Sequence, residues 1–363
     1  MASRRGGMWW RSEAKAEVCP SADSGSSSAP YTWSFAGAVL LWTTAISALM
    51  TLSWQMEAQS LPISQAEPRG IAVTFDDLPA MSAMTMSASS ITEMNRAILV
   101  ELTAEKVPAI GFVNEISLYK TGEVDARIAV LRAWVNAGLN LGNHTYSHTS
   151  LNHAELRDWE DDVVQGESVT HILLTEHHKS IRYFRHPYLH AGPDLQTRRE
   201  AEAFLTGRGY RVAPVTIDAF DWYFADLYDD ARQRNDRPEQ DRIVHAWLTY
   251  TEQVFAYSEK RSRALLGYEP KQVLLLHDTW LEADHLRELL ALIRARGYRF
   301  LSLDDALKDA AYAQPDDYIS DTGASWIEHW AVTRGQPASP SERPRLPDWI
   351  EKRHAALDAA SEE

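Results

Sequence analysis

Cysteine is almost missing from this chain: Cys19 is alone in 363 residues. That excludes a disulfide framework and leaves no set of thiolates to hold a metal. Positive charge is in deficit too, with 36 lysines and arginines against 51 acids and a formal charge of −15. Such a balance argues against nucleic acid, or an anionic membrane surface, as the main partner. Long uncharged apolar runs are also scarce. The one from Trp33 to Trp54 is long enough to span a bilayer. Arg4, Arg5, Arg11 and Lys15 precede it, so the N-terminus is expected to stay cytoplasmic and the remainder to be exported to the periplasm or beyond. No clean small-x-small cleavage site follows, Ala58 being the nearest candidate. A signal anchor in the inner membrane, a cleaved signal and a buried core helix all remain open.

What is present is enough apolar residue for a sizeable core, and a length that favours one large domain with extensions over several small ones. From residue 71 onward, apolar β-rich stretches fall near 71–75, 107–113, 139–143, 181–184, 210–217, 273–276 and 298–301, with helical patterns between them. Val124, Ile128, Leu131 and Val135 repeat at helical spacing and Gly138 is placed as a stop. Leu286, Leu289, Leu290 and Ile293 form a second such face. Two helix-to-strand junctions share their chemistry, Arg208-Gly209-Tyr210-Arg211 and Arg296-Gly297-Tyr298-Arg299. This βα repetition predicts an α/β fold, a parallel sheet or barrel of about seven strands, with its chemistry at the strands' C-terminal ends. The expected layout is a basic, Ser-rich N-region (1–32), a hydrophobic targeting segment (33–54), a linker (55–69), a main domain (70–310) and a Pro-rich extension (311–363). Residues 225–268 interrupt the rhythm: a charged, solvated loop through Asp226, Asp229, Asp230, Arg232 and Arg234, then a helix from about Pro238 to Leu266. The extension reads as draped over the body, with Trp326 and Trp330 docking part of it.

Polar residues collect where the strands should end. Ile71-Ala-Val-Thr-Phe75 runs into Asp76 and Asp77, and two adjacent buried acids need a compensating cation; an exposed turn is the plain alternative. His144 and His148 follow the next-but-one strand. Four apart, they would share one face of a helical turn and, with one aspartate, make a two-histidine, one-carboxylate metal set with positions left for water and substrate. Arg185-His-Pro-Tyr188 ends another strand, Asp218-Ala-Phe-Asp221-Trp222 another, and Val273-Leu-Leu-Leu276-His277 a fifth. Any one of these reads equally well as an ordinary surface turn or, for His277, a core histidine. Five in a row are harder to dismiss.

The ordered set Thr74-Phe-Asp-Asp77, His144-Thr-x-x-His148, Arg185-x-Pro187-Tyr188, Asp218-x-x-Asp221-Trp222 and Leu274-x-Leu276-His277 resembles the five motifs of the polysaccharide deacetylase family (NodB homology, carbohydrate esterase family 4). The resemblance covers about residues 70–310. It implies a distorted (β/α) barrel and metal-dependent removal of N-acetyl groups from amino sugars of a glycan: chitin-like, peptidoglycan or exopolysaccharide. By position, it makes Asp77, His144 and His148 the ligands of a divalent metal, zinc before cobalt, nickel or manganese. It makes Asp76 the general base, oriented by Arg185, and the Tyr188 backbone N–H an oxyanion donor. His277 becomes the general acid with Asp221 as its partner, while Trp222 and Leu276 line the groove and the acetyl pocket. His186 stands where relatives often carry proline or a small residue, which bears on the substrate. Two other readings stay open: hydrolysis of a small amide or imide on the same fold, and a non-catalytic, metal-stabilised sugar-binding module.

Overall fold

The computed structural model describes residues 69–339 and 341–361. The expected N-region, targeting segment and nearly all of the linker lie outside the described residues. Among the described residues no helix is long and apolar enough to cross a membrane.

The chain alternates as its apolar pattern predicts. In order run β1 (Gly70–Leu78), α1 (Ala88–Ala104), β2 (Ile110–Val113), α2 (Val124–Asn136), β3 (Asn140–Asn143), α3 (Leu156–Gln165), α4 (Ser168–Glu176), β4 (Tyr183–Phe184) and α5 (Leu195–Gly207). They are followed by β5 (Arg211–Val212), β6 (Ile217–Asp218), α6 (Asp221–Gln233), α7 (Arg237–Leu266), β7 (Gln272–His277), α8 (Trp280–Ala295), β8 (Arg299–Phe300), α9 (Leu303–Ala306), α10 (Trp326–Thr333) and α11 (Asp348–Ser361). The paired junctions behave as twins: Gly209 and Gly297 end their helices at φ 83° and 84°, a left-handed turn that glycine adopts without steric cost. Gly138 does the same after α2, at φ 85°.

All paired strands are parallel, in the order β5-β4-β3-β2-β1-β7-β6, with β8 beside the start of β1. The two outermost strands are consecutive pieces of one segment. Arg211 and Val212 pair with β4, and Ile217 and Asp218 pair with β7. Residues 211–218 therefore lead from one edge of the curled sheet to the other, so the eight short strands amount to seven staves. Inside the curl, Ala72, Ile110, Phe112, Tyr183 and Val273 meet Leu303, Ala306 and Leu307 from the α9 region, which fill the end away from the strand C-termini. The larger core lies outside, between sheet and helices, and includes Phe75, Leu274 and Leu276.

Two expectations about the rest of the chain need correction. The charged stretch after Asp221 is not a loop but helix α6: Phe224, Leu227, Tyr228 and Ala231 are buried at helical spacing, while Arg234 pairs with Asp230 on the wet side. Its many charges form the solvated face of an amphipathic helix. The C-terminal extension is folded and not merely draped. Trp330 is buried with Leu265 of α7 and Ile327 of α10, and Ile350 of α11 is part of the main core. Burial of Ile350 predicts that Ile350→Ala lowers stability by about 2–5 kcal/mol, measured as a lower denaturation midpoint. An unchanged midpoint would mean that α11 is not docked.

Candidate active site

Three side chains converge at the C-terminal ends of β1 and β3. The Asp77 Oδ1 atom lies 3.5 Å from His144 Nε2 and 3.4 Å from His148 Nε2, and the three donor atoms all fall within 4.8 Å of one another. A first-row divalent ion at about 2.0–2.2 Å from each donor would separate its ligand atoms by about 3–3.5 Å, so the observed spacing fits one. Two further features support the fit. Asp77 Oδ1 is buried and accepts no hydrogen bond. His144 donates from Nδ1 to the Arg185 carbonyl at 2.8 Å, which leaves the Nε2 lone pair facing the cluster, as a metal-ligating histidine requires. Burial lowers the affinity of both His144 and His148 for a proton.

The backbone reaches this arrangement by an unexpected route. Strict alternation would place Asp76 and Asp77 on opposite faces of β1. Instead the pairing of β1 with β2 shifts register between Phe75 and Leu78, and Asp77 takes a left-handed φ of 65°. As a result both acids reach His144, with Asp76 Oδ2 at 3.8 Å. The histidine pair is likewise not on a helical turn. Residues 144–150 form an irregular loop with Thr145 at φ 61° and His148 at φ 59°. Side chains hold it in place: Asn143 Oδ1 accepts from Thr145 N at 2.7 Å and Thr145 Oγ1 from Thr149 N at 3.0 Å. From α3, Asp162 accepts from the Tyr146 and Ser147 amides, and Asn114 donates to the His144 carbonyl.

Asp76 is 3% exposed and sits over Arg185, which is fully buried. Arg185 Nη1 reaches Asp76 Oδ2 at 3.3 Å, Nη2 donates to Thr74 Oγ1 at 3.0 Å, and the guanidinium lies 4.7 Å over the Phe112 ring. Burial pushes the Asp76 carboxyl up to about 7, against the pull of Arg185 and His277. His277 stands beside it by register, since Asp76 and His277 are paired residues of β1 and β7. Its Nδ1 contacts Asp221 Oδ1 at 2.8 Å, and its own amide donates to Asp221 Oδ2 at 2.6 Å. Burial alone would lower the imidazole, but the fully buried Asp221 and then Asp77 and Asp76 raise it to about 10. It is therefore a proton donor at neutral pH. Burial also raises Asp218, to about 6.

Tyr188 lies on a short turn after β4, and its ring is 4.3 Å from that of His148. Trp222 stacks on Tyr223 at 3.8 Å, with His354 of α11 at 5.2 Å, so the C-terminal helix supplies a neighbour for this residue. Leu276 is not at the site. It is paired with Phe75 and buried in the helix-facing core, on the face opposite His277. By the same two-residue period its neighbour Leu275 shares the His277 face, and it clusters with Leu189 and Val215. His186 turns away as well, stacked on Trp159 at 5.7 Å and held down to about 3 by burial. Sequence reasoning assigned no role to Thr74, Asn114, Asn143 or Asp162; an asparagine at a strand end was the signal for Asn114 and Asn143.

Residues 64–204 match the family model described as polysaccharide deacetylase. The match takes in Asp76, Asp77, His144, His148 and Arg185, while Asp221 and His277 lie past it. Over 165 residues the chain is 26% identical to a peptidoglycan-N-acetylglucosamine deacetylase of Bacillus cereus, covering 46% of this chain and 50% of that one. The chain thus spans about half the length of this curated relative. A chitin deacetylase of Colletotrichum lindemuthianum overlaps with TM-score 0.45 at 20% identity, over 71% of this chain and 93% of its own. A CE4 family pseudoenzyme from Bacillus anthracis gives 0.45 at 14% identity, over 66% of each chain. From the geometry alone, the full chain loaded with zinc is expected to keep the ion through desalting and His144→Ala and His148→Ala are each expected to lose it, measured by metal analysis. Full occupancy in either variant would remove that histidine from the ligand set.

Proposed function

The chain belongs to the polysaccharide deacetylase family through residues 64–204, and on that premise we propose that it hydrolyses N-acetyl groups of amino sugars in a glycan. The observation that carries this reading is the position of two unlike proton carriers beside the ligand cluster. Asp76 is backed by a buried arginine, and His277 is backed by a buried aspartate. A sugar-binding module has no use for both.

Amide hydrolysis needs an activated water, a base to take its proton, a proton for the amine that leaves, and stabilisation of the tetrahedral oxyanion. A divalent metal held by Asp77, His144 and His148, zinc by preference, would act as a Lewis acid that acidifies water and polarises the acetyl carbonyl. Asp76 takes the proton of the attacking water. Arg185 keeps the Asp76 carboxylate oriented and lowers the cost of its charge in a buried position. His277 delivers the proton from Nε2 to the departing amine nitrogen, while Asp221 fixes the ring through Nδ1 and stabilises its charged form. The Tyr188 backbone N–H stabilises the oxyanion. Leu275, with Leu189 and Val215, supplies the apolar surface for the acetyl methyl, and Trp222 forms a wall for the sugar.

The division of labour between the adjacent acids is testable. Asp76→Asn should keep the metal but lower kcat by about 10²–10⁴-fold, because the amide is nearly isosteric but cannot accept a proton. Asp77→Asn should weaken metal binding. If Asp76→Asn loses metal and Asp77→Asn retains it, the two roles are exchanged. The pH profile tests His277. Its proton must be present, so activity should fall as pH rises through about 10. Removing the charge of the partner in Asp221→Asn should move this alkaline limb to lower pH. An unmoved limb would exclude His277 as the acid.

A further inference from the structure

The extension after the barrel returns to the site. Residues 316–326 leave and rejoin the body at one buried clamp. Arg198 of α5 grips Asp316 with both terminal nitrogens, at 3.1 and 2.6 Å, and donates to the Tyr318 carbonyl at 2.7 Å. Asp316 also contacts His329 Nδ1 at 2.8 Å. The fully buried His329 ring is stacked between Tyr318, at 4.1 Å and 12°, and Trp326, at 4.4 Å and 23°. Both ends of the segment are therefore fixed to the same ring.

Its middle touches the site's own loops. Asn152, just past the His148 loop, donates to the Ser320 carbonyl at 2.9 Å, and its other amide atom accepts from Gly192 N at 2.9 Å. The Trp326 amide donates to the Val215 carbonyl at 2.6 Å. Most closely placed is Gly323. A Cβ added there would lie 1.9 Å from the Tyr188 carbonyl oxygen, so no other residue fits unless one of the two backbones moves.

Tyr188 and Leu189 are consecutive non-glycine residues at φ 59° and 57°, a conformation that persists only where the surroundings over-determine it. We propose that residues 316–326 form a strap that fixes the Tyr188 turn, making Gly323 and Asn152 positioning residues of the site. This rests on the deacetylase reading for its catalytic consequence but not for the contact itself. The peptide that Gly323 presses against is the one that follows Tyr188, so a shift of the strap is transmitted to the turn carrying the oxyanion donor. Misplacement of a reacting group by about 1 Å can cost about 10²-fold in rate.

The experiment compares wild type with Gly323→Ala and, as a milder disturbance, Asn152→Ala, in the full chain loaded with zinc. Three readouts are taken: hydrogen exchange of peptides covering 186–192, zinc content and melting temperature, and kcat and KM on an N-acetylated chitooligosaccharide. The strap predicts faster exchange confined to 186–192, retained zinc, near-native melting, and a kcat lowered about 10²-fold in Gly323→Ala with KM little changed. Unchanged exchange across 186–192 in both variants overturns it. So does a general loss of melting temperature and zinc in both, which would make the segment a brace for the fold alone. Should wild type release no acetate, the deacetylase reading falls, while the exchange comparison still decides the strap.

Discussion

Two carboxylates standing side by side at the buried end of one strand are the constraint to which the rest of this molecule answers. Like charges taken out of water together cannot both stay ionised without cations around them. The fold provides compensation from several directions. Arg185 lies beneath Asp76, the His277–Asp221 pair stands beside it by strand register, and the His144–His148 loop closes on Asp77 to leave a place for a divalent ion. Each compensating group comes from a different strand end, so the charge problem can be solved only once the sheet has formed. The two acids differ in their surroundings: burial pushes the Asp76 carboxyl up to about 7 against the pull of Arg185 and His277, while Asp77 Oδ1 faces the two histidines of the ligand cluster.

Bringing those groups together needs an unusual backbone. Of the nine non-glycine residues with positive φ among the described residues, six lie around the site: Asp77, Thr145, His148, Tyr188, Leu189 and Phe220. Left-handed residues of this kind are costly and cluster where function requires them. Here five of the six have visible support. Asn143, Asn114 and Asp162 hold the histidine loop, Asp218 accepts from the Phe220 amide at 2.9 Å, and Gly323 presses on the Tyr188 turn. The C-terminal extension thus belongs to the working body, through the strap and through His354 against Trp222.

Periodicity made the barrel's staves legible, because apolar runs and helical stripes are local properties of the chain. It failed where amphipathicity hid behind charge: the acid and arginine density of 226–236 concealed the stripe Phe224, Leu227, Tyr228 and Ala231. Trp326 and Trp330 marked the docking of α10, but proline content hid that of α11, since composition does not show which few apolar residues, such as Ile350, find the core.

The chemical parts and their order are written in the amino-acid chain, because residue type and position relative to a strand end can be read along one dimension. Asp76, Asp77, His144, His148, Arg185, Asp221 and His277 were all legible in this way. Which way each one faces is set in the folded molecule. The register between β1 and β7 puts Leu275, not Leu276, on the face of His277. A left-handed residue turns Asp77 to the same side as Asp76. A glycine 135 positions further along the chain lies against the Tyr188 carbonyl. Direction at a strand end depends on backbone torsions and distant contacts that no local pattern encodes.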